Sequence, residues 1–123
     1  LRVTKTGGSF FFADVKKGTS VDVFLNKFVN TYNSLGHKGD FFLETSFETL
    51  EDIQSCIKNC QYQEYPFLFS TVSDMITFFK LFFGLDKADD PTILHGIEQI
   101  LGTKTTDKGI EVNWGLLLFE LKK

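Results

Sequence analysis

The sequence has few of the residues that mark secreted, membrane or nucleic-acid-binding proteins. It contains two cysteines, two prolines, one methionine and a single arginine, Arg2. Cys56 and Cys60 are too few for a disulfide framework and no Asn-x-Ser/Thr sequon occurs, so we expect the cytoplasm or another reducing compartment. A membrane helix needs about 20 apolar residues, but charged residues interrupt the most apolar stretch, 65–85, which argues against a membrane span. The net charge of −3 gives no strong positive field for nucleic acid.

Length and composition indicate one globular domain covering residues 1–123. The chain has 42% apolar and 24% charged residues, an ordinary balance for a folded domain of this size. It begins with Leu1, and its only methionine is Met75. We therefore expect the domain to be excised from a larger protein.

The hydrophobic pattern mixes both periodicities and predicts an α+β fold. Strands at Leu1–Lys5 and Ser9–Val15 flank Gly7-Gly8, which predicts an N-terminal β-hairpin. Apolar residues at steps of three and four predict about four helices that pack on a single mixed β-sheet. The predicted helices span 19–36, 49–60, 71–84 and 90–102. Further strands are predicted at 40–44, 65–69 and 109–121, and a loop is predicted at 103–108. For the last strand, the alternative is a helix that begins at Asn113.

The N-terminal pattern also suggests a family comparison. A glycine hairpin, then Lys17-Gly18-Thr19-Ser20 and an amphipathic helix, resembles the start of ubiquitin-like β-grasp domains. The resemblance covers about the first 36 residues. The helices predicted after Thr49 depart from that compact fold, so no family is assigned.

Phenylalanine is the distinctive residue of this chain. There are 15 Phe against three Tyr and one Trp, and several are adjacent in sequence. Successive side chains of a strand point to opposite faces, so adjacent Phe in predicted strands make both faces of the sheet apolar. Either helices cover both faces, or one face is left for a partner. The candidate partner-binding residues are Phe10, Phe11, Phe12, Phe41 and Phe42.

Few residues have the spacing of a catalytic or metal site. Cys56 and Cys60 lie one turn apart on a predicted helix and could supply two metal ligands, but His37 and His95 are isolated, so buried core thiols are the favoured interpretation. His37 lies in a glycine-flanked loop, where catalytic groups often occur, but a helix stop followed by a turn is the favoured interpretation. Asp90, before Pro91, is interpreted as a helix N-cap. No metal and no cofactor is predicted.

These observations favour a non-catalytic protein-interaction or structural module of a larger multidomain protein, with a Phe-rich apolar surface. Its predicted partner is another protein, a neighbouring domain or a second copy of the chain. The alternative is a small enzyme domain or fragment with a site near His37, Cys56 and Cys60. A third hypothesis is a nucleic-acid-binding domain that stacks bases on Phe10–Phe12, although the sequence lacks the expected basic and glycine residues.

Overall fold

The computed structural model of this protein describes residues 3–123. Helix α1 covers 20–32, where α-helical Ser20–Val23 and Asn30–Tyr32 flank π-helical Phe24–Val29. The other helices are α2 (Glu51–Gln54), α3 (Val72–Phe82) and α4, in which α-helical Asp90–Gly96 continues as π-helical Ile97–Leu101. The strands are β1 (Ser9–Asp14), β2 (Ile57–Glu64), β3 (Phe67–Phe69), β4 (Thr103–Thr106), β5 (Gly109–Val112) and β6 (Gly115–Lys122). The predicted α+β class is confirmed.

The strands form two antiparallel sheets of three strands each. The first sheet has the order β1-β6-β2, and the second has the order β3-β5-β4. The sequence predicts a single mixed sheet, whereas the structure has two sheets and both are antiparallel. The one parallel pairing among residues 3–123 is an isolated bridge between Lys16 and Phe42.

The N-terminal hairpin is also wrong in the residues that can be compared. Leu1 and Arg2 lie outside the described residues, while residues 3–8 contain no strand. Strand β1 pairs instead with β6 at the other end of the sequence, and the amide of Lys123 donates to the carbonyl of Gly8 at 3.0 Å. A Gly-Gly pair permits a turn but does not choose the partner strand. Because this hairpin is absent from the described residues, the resemblance to the start of ubiquitin-like β-grasp domains is lost.

The region 40–64 differs most from the sequence prediction. The strand predicted at 40–44 is reduced to the Phe42 bridge. The helix predicted over 49–60 is limited to α2, and its second half belongs to β2, which pairs with β6. Long-range pairing with a strongly apolar strand outweighs the weak local helical pattern here.

Three of the helices begin close to where their capping residues predict. Thr19 accepts a hydrogen bond from the Asp22 amide at 3.5 Å, and Thr71 accepts one from the amide three residues on at 3.1 Å. Helix α4 is capped by Asp89, which accepts from Thr92 at 3.0 Å, so the predicted cap at Asp90 is off by one residue. Side-chain caps of this kind satisfy amides that the first helical turn leaves unpaired.

The main core, core 1, lies between α1, α3, α4 and the second sheet. The π-helical parts of α1 and α4 pack against each other, and the ring of Phe28 lies against Gly96, where a side chain would obstruct it. Phe24 and Phe79 are fully buried and meet edge to face at 5.6 Å. This core holds the larger share of the buried apolar residues: Val15, Val21, Phe24, Leu25, Val29, Met75, Phe79, Leu85, Ala88, Ile93, Ile97, Leu101 and Val112.

A smaller core, core 2, lies on one face of the first sheet. Its fully buried residues are Leu117, Phe119 and Leu121 of β6. Partly buried side chains from β1, β2 and the segment 42–56 pack against them. Within residues 3–123, no helix has the length and apolar content required to cross a membrane.

Candidate interaction face

The first sheet has one covered face and one open face. Along β6, Leu117, Phe119 and Leu121 are buried, while Leu118 and Glu120 between them are not. Residues directly opposite each other on paired strands share a face. The pairing with β1 and β2 therefore defines the side of the sheet away from core 2. We call this side the outer face; it consists of Phe11, Ala13, Asn59, Gln61, Leu118 and Glu120.

On the covered side, aromatic rings are closely packed. Phe12 stacks on Phe119 with ring centroids 4.8 Å apart, and both rings meet Phe47 edge to face, at 5.7 and 5.2 Å. Phe42 joins them, 5.7 Å from Phe12. The salt bridge between Lys16 and Glu44, at 2.5 Å, lies beside this cluster and lowers the pKa of the Glu44 carboxyl.

The five predicted partner-binding phenylalanines thus do not form one surface. Phe12 and Phe42 belong to core 2, whereas Phe41 packs against core 1. Phe10 keeps 42% of its surface exposed and lines an apolar depression of about 320 Å³ together with Val3, Thr4, Phe47 and Ile53. Only Phe11 lies on the open side of the sheet.

Phe11 is the most exposed aromatic side chain on the first sheet. It keeps 68% of its surface accessible and makes no aromatic contact with another residue between 3 and 123. Beside it the outer face forms an open depression of about 420 Å³, floored by Ala13 and Leu118. Asn59, Gln61 and Glu120 add polar groups to its lining, and Glu120 lies on the central strand β6, directly opposite Phe11. Protein–protein interfaces combine apolar and polar side chains in this way.

Helix α3 carries a second group of exposed apolar side chains. Leu81 is exposed, and Phe82 is accessible over 65% of its surface. Unlike Phe11, Phe82 is held by neighbouring rings: it stacks on Phe78 at 5.1 Å and meets Phe83 edge to face at 4.9 Å. Phe82 and Phe11 are thus exposed to a similar extent, but Phe82 lies on a helix and contacts two other rings, whereas Phe11 lies on a strand.

The His37 loop is held by two asparagines of α1. Asn26 accepts from the Gly39 amide at 2.6 Å and donates to the Gly39 carbonyl at 2.9 Å, while Asn30 accepts from the His37 amide at 2.9 Å. The His37 ring lies against Phe41, 6.2 Å between centroids, and its Nδ1 atom has no hydrogen-bond partner among the described residues. These contacts are those of a well-fixed turn.

The two cysteines lie at core 2, apart from the surroundings of His37. Cys60 lies on β2 and Cys56 in the turn before it, so they do not share a helix face as predicted. Burial raises the pKa of the Cys60 thiol, and the negative charge of Glu44 raises it further. A reactive cysteine needs the opposite shift. Among residues 3–123, no group of three His, Cys, Asp or Glu side chains is arranged to hold a metal ion.

The aspartates near α4 have structural partners. Asp86 accepts a hydrogen bond from the Ser34 amide at 2.8 Å, which lowers the pKa of its carboxyl. The hydrogen bond from Thr92 to the Asp89 cap lowers the Asp89 pKa in the same way. Asp86 thereby ties the loop after α3 to the end of α1.

Sequence reasoning found Phe11 but missed the rest of the outer face. The helix predicted over 49–60 includes Asn59 and ends just before Gln61, and Leu118 is not among the predicted partner-binding residues. The signal that could have found them is the alternation of Cys60 and Tyr62 with polar residues, which is typical of a half-covered strand.

No protein-family model, no curated protein and no solved structure matches this chain significantly.

Proposed function

We propose that this chain is a non-catalytic protein-interaction module whose binding surface is the outer face of the first sheet. The observation that carries the proposal is Phe11, a large aromatic side chain of the edge strand β1 that is exposed on the uncovered face of the sheet. Isolated exposed apolar residues are common on proteins. Phe11 differs because an apolar depression lies next to it, floored by Ala13 and Leu118.

The chemistry of the face indicates the kind of partner. An apolar side chain of the partner would fill the depression beside Phe11, since burying both removes apolar surface from water. The amides of Asn59 and Gln61 both donate and accept hydrogen bonds, which suits them to the backbone of a polypeptide. The partner is therefore a protein segment that presents at least one bulky apolar side chain.

The positions of the alternative candidates give less support to catalysis. His37 contacts Phe41, which packs against core 1, whereas the cysteines pack against core 2, and the shift in the Cys60 pKa is opposite to that of an activated nucleophile. For nucleic acid, the outer face offers one exposed ring and a carboxylate, Glu120, which repels phosphate.

The proposal is tested with peptides selected for binding to the purified chain from a random library. Affinities are then measured for the wild-type chain, for Phe11→Ser and for the matched control Phe82→Ser. Because a few bulky side chains carry most of the binding energy of an interface, we expect Phe11→Ser to weaken binding at least about tenfold and Phe82→Ser to change it by less than about twofold. The opposite ranking, or equal affinities for all three chains, would show that the outer face is not the binding surface.

A further inference from the structure

Strand β2 is a long edge strand with an unpaired side. It lies at one end of the order β1-β6-β2, and no other strand or bridge within residues 3–123 pairs with its free edge. Six of its eight residues are exposed, Ile57 and Cys60 being the exceptions. Free backbone N–H and C=O groups along such an edge are a template for another strand.

The opposite edge, at β1, is shorter and is partly blocked where the strand ends. There the Phe42 amide donates to the Val15 carbonyl at 3.2 Å, and the Lys17 amide donates to the Phe42 carbonyl at 2.8 Å. The segment around Phe42 thus continues along that edge. Strand β2 has no corresponding cover in the described part of the chain.

The sequence of β2 is complementary to itself in one antiparallel register. When two copies pair about a two-fold axis through Gln61, Lys58 of each copy lies opposite Glu64 of the other, and Asn59 lies opposite Gln63. Opposite charges and paired amides are favourable across antiparallel strands. The regular pairing runs over residues 59–63, because a bulge lies between Ile57 and Asn59, and the charged pairs flank it.

Neighbouring registers lose this complementarity. The outer faces of both copies stay on the same side when the centre of the register moves by whole residues. The nearest alternative registers are therefore centred on Cys60 and on Tyr62. Centred on Cys60, the pairing puts Lys58 opposite Tyr62. Centred on Tyr62, it puts Glu64 opposite Cys60. The pairing of Lys58 with Glu64 thus selects the register through Gln61.

We propose that two copies of this chain pair antiparallel along β2, in the register centred on Gln61, and form a continuous six-stranded sheet. A two-fold axis perpendicular to the sheet leaves both outer faces on the same side. The dimer would then present two Phe11 side chains on one surface. The pairing uses backbone groups at the edge of β2, whereas Phe11 lies on β1 at the opposite edge, so loss of peptide binding in Phe11→Ser and loss of the dimer in Lys58→Glu are separate outcomes.

Cysteine cross-linking tests the register directly. In a Cys56→Ser/Cys60→Ser background, Gln61→Cys should form a disulfide-linked dimer on mild oxidation, because opposed residues of antiparallel strands lie within disulfide reach. Asn59→Cys and Gln63→Cys should each stay monomeric alone, since their own copies lie about 13 Å apart along the strands. Mixed together, they should form a cross-linked heterodimer. Cross-linking of Asn59→Cys or Gln63→Cys with itself, or no cross-link for Gln61→Cys, would overturn the register.

A second measurement avoids the cysteine replacements, which fall within or next to core 2. Sedimentation velocity of the wild-type chain should show a reversible dimer, and Lys58→Glu should raise its dissociation constant about fivefold to tenfold by placing like charges opposite each other. Lys58→Glu/Glu64→Lys should restore the dimer. Lys108→Glu, an equal charge change in the turn between β4 and β5, and Phe11→Ser should leave it unchanged. A monomer at all concentrations up to about 1 mM, or a dimer weakened equally by Lys108→Glu, would refute edge pairing.

Discussion

Two adjacent phenylalanines of β1 provide a direct test of the assignment of open and covered faces. Phe11 and Phe12 have the same side chain on the same strand, but they point to opposite sides of the sheet. Replacing each with alanine changes backbone preference to a similar extent. The difference in their effect on unfolding therefore measures how much packing each face provides.

The expected magnitudes follow from the contacts of each ring. Truncation of a fully buried Phe costs about 3–5 kcal/mol, and Phe12, stacked on Phe119 at 4.8 Å with two further ring contacts in core 2, keeps part of its surface exposed. We expect Phe12→Ala to lower the free energy of unfolding by about 2–3 kcal/mol. For Phe11→Ala, whose ring is 68% exposed, we expect a loss of at most about 1 kcal/mol.

Urea titration followed by circular dichroism measures both variants. A chain of this length loses roughly 4 °C of melting temperature per kcal/mol, so the thermal shifts should be about 8–12 °C for Phe12→Ala and below about 4 °C for Phe11→Ala. An unchanged slope of the unfolding free energy against urea concentration would confirm that both variants unfold from a similar native state. Equal destabilisation by the two changes would show that the outer face is covered in solution, which would refute the assignment of Phe11 to an open face.

Three further predictions concern the loops and helix ends. Asn26→Ala removes both hydrogen bonds to Gly39, and we expect it to lower the free energy of unfolding by about 1–3 kcal/mol in the same urea titration. Asp89→Ala removes the side-chain cap of α4, so its urea midpoint should fall further than that of Asp90→Ala. A larger fall of the midpoint for Asp90→Ala would indicate that Asp90 is the cap. The folded-state pKa of Asp86 is lowered, so this group stabilises the fold above its unfolded pKa of ~3.9 and loses that contribution as the pH falls through its folded value. Asp86→Asn should therefore lose less stability on acidification than the wild type; identical acid profiles would contradict this.

The sequence predicted best those elements whose signals are local. Thr19 caps α1 as its position predicts, and Thr71 caps α3 as one of three candidates, Ser70, Thr71 and Ser73; such signals are local because a cap involves only the next three residues. The start of α4 was displaced by one residue because Asp89 and Asp90 are both good caps. The alternation of Ile110, Val112 and Trp114 predicts a single strand over 109–121, and the structure has two strands there, β5 and β6, which belong to different sheets.

Elements that depend on distant partners were predicted poorly. Strand β1 was assigned to a hairpin because Gly7-Gly8 permits one, yet its partner β6 is more than 100 residues away in sequence. The sequence predicts a loop over 103–108, whereas residues 103–106 form strand β4, which is fixed by its pairing with β5. For the candidate site, Phe11 was identified by its residue type, whereas Gln61 and Leu118 join it only through the pairing of β2 with β6.

The position of a bound peptide on the chain can be mapped by NMR. A peptide selected from the library is titrated into isotope-labelled protein, and the backbone amide signals are followed. We expect the largest shifts at Phe11, Ala13, Gln61 and Leu118, on three adjacent strands. Shifts centred on α3 around Phe82, with the first sheet unaffected, would contradict this expectation.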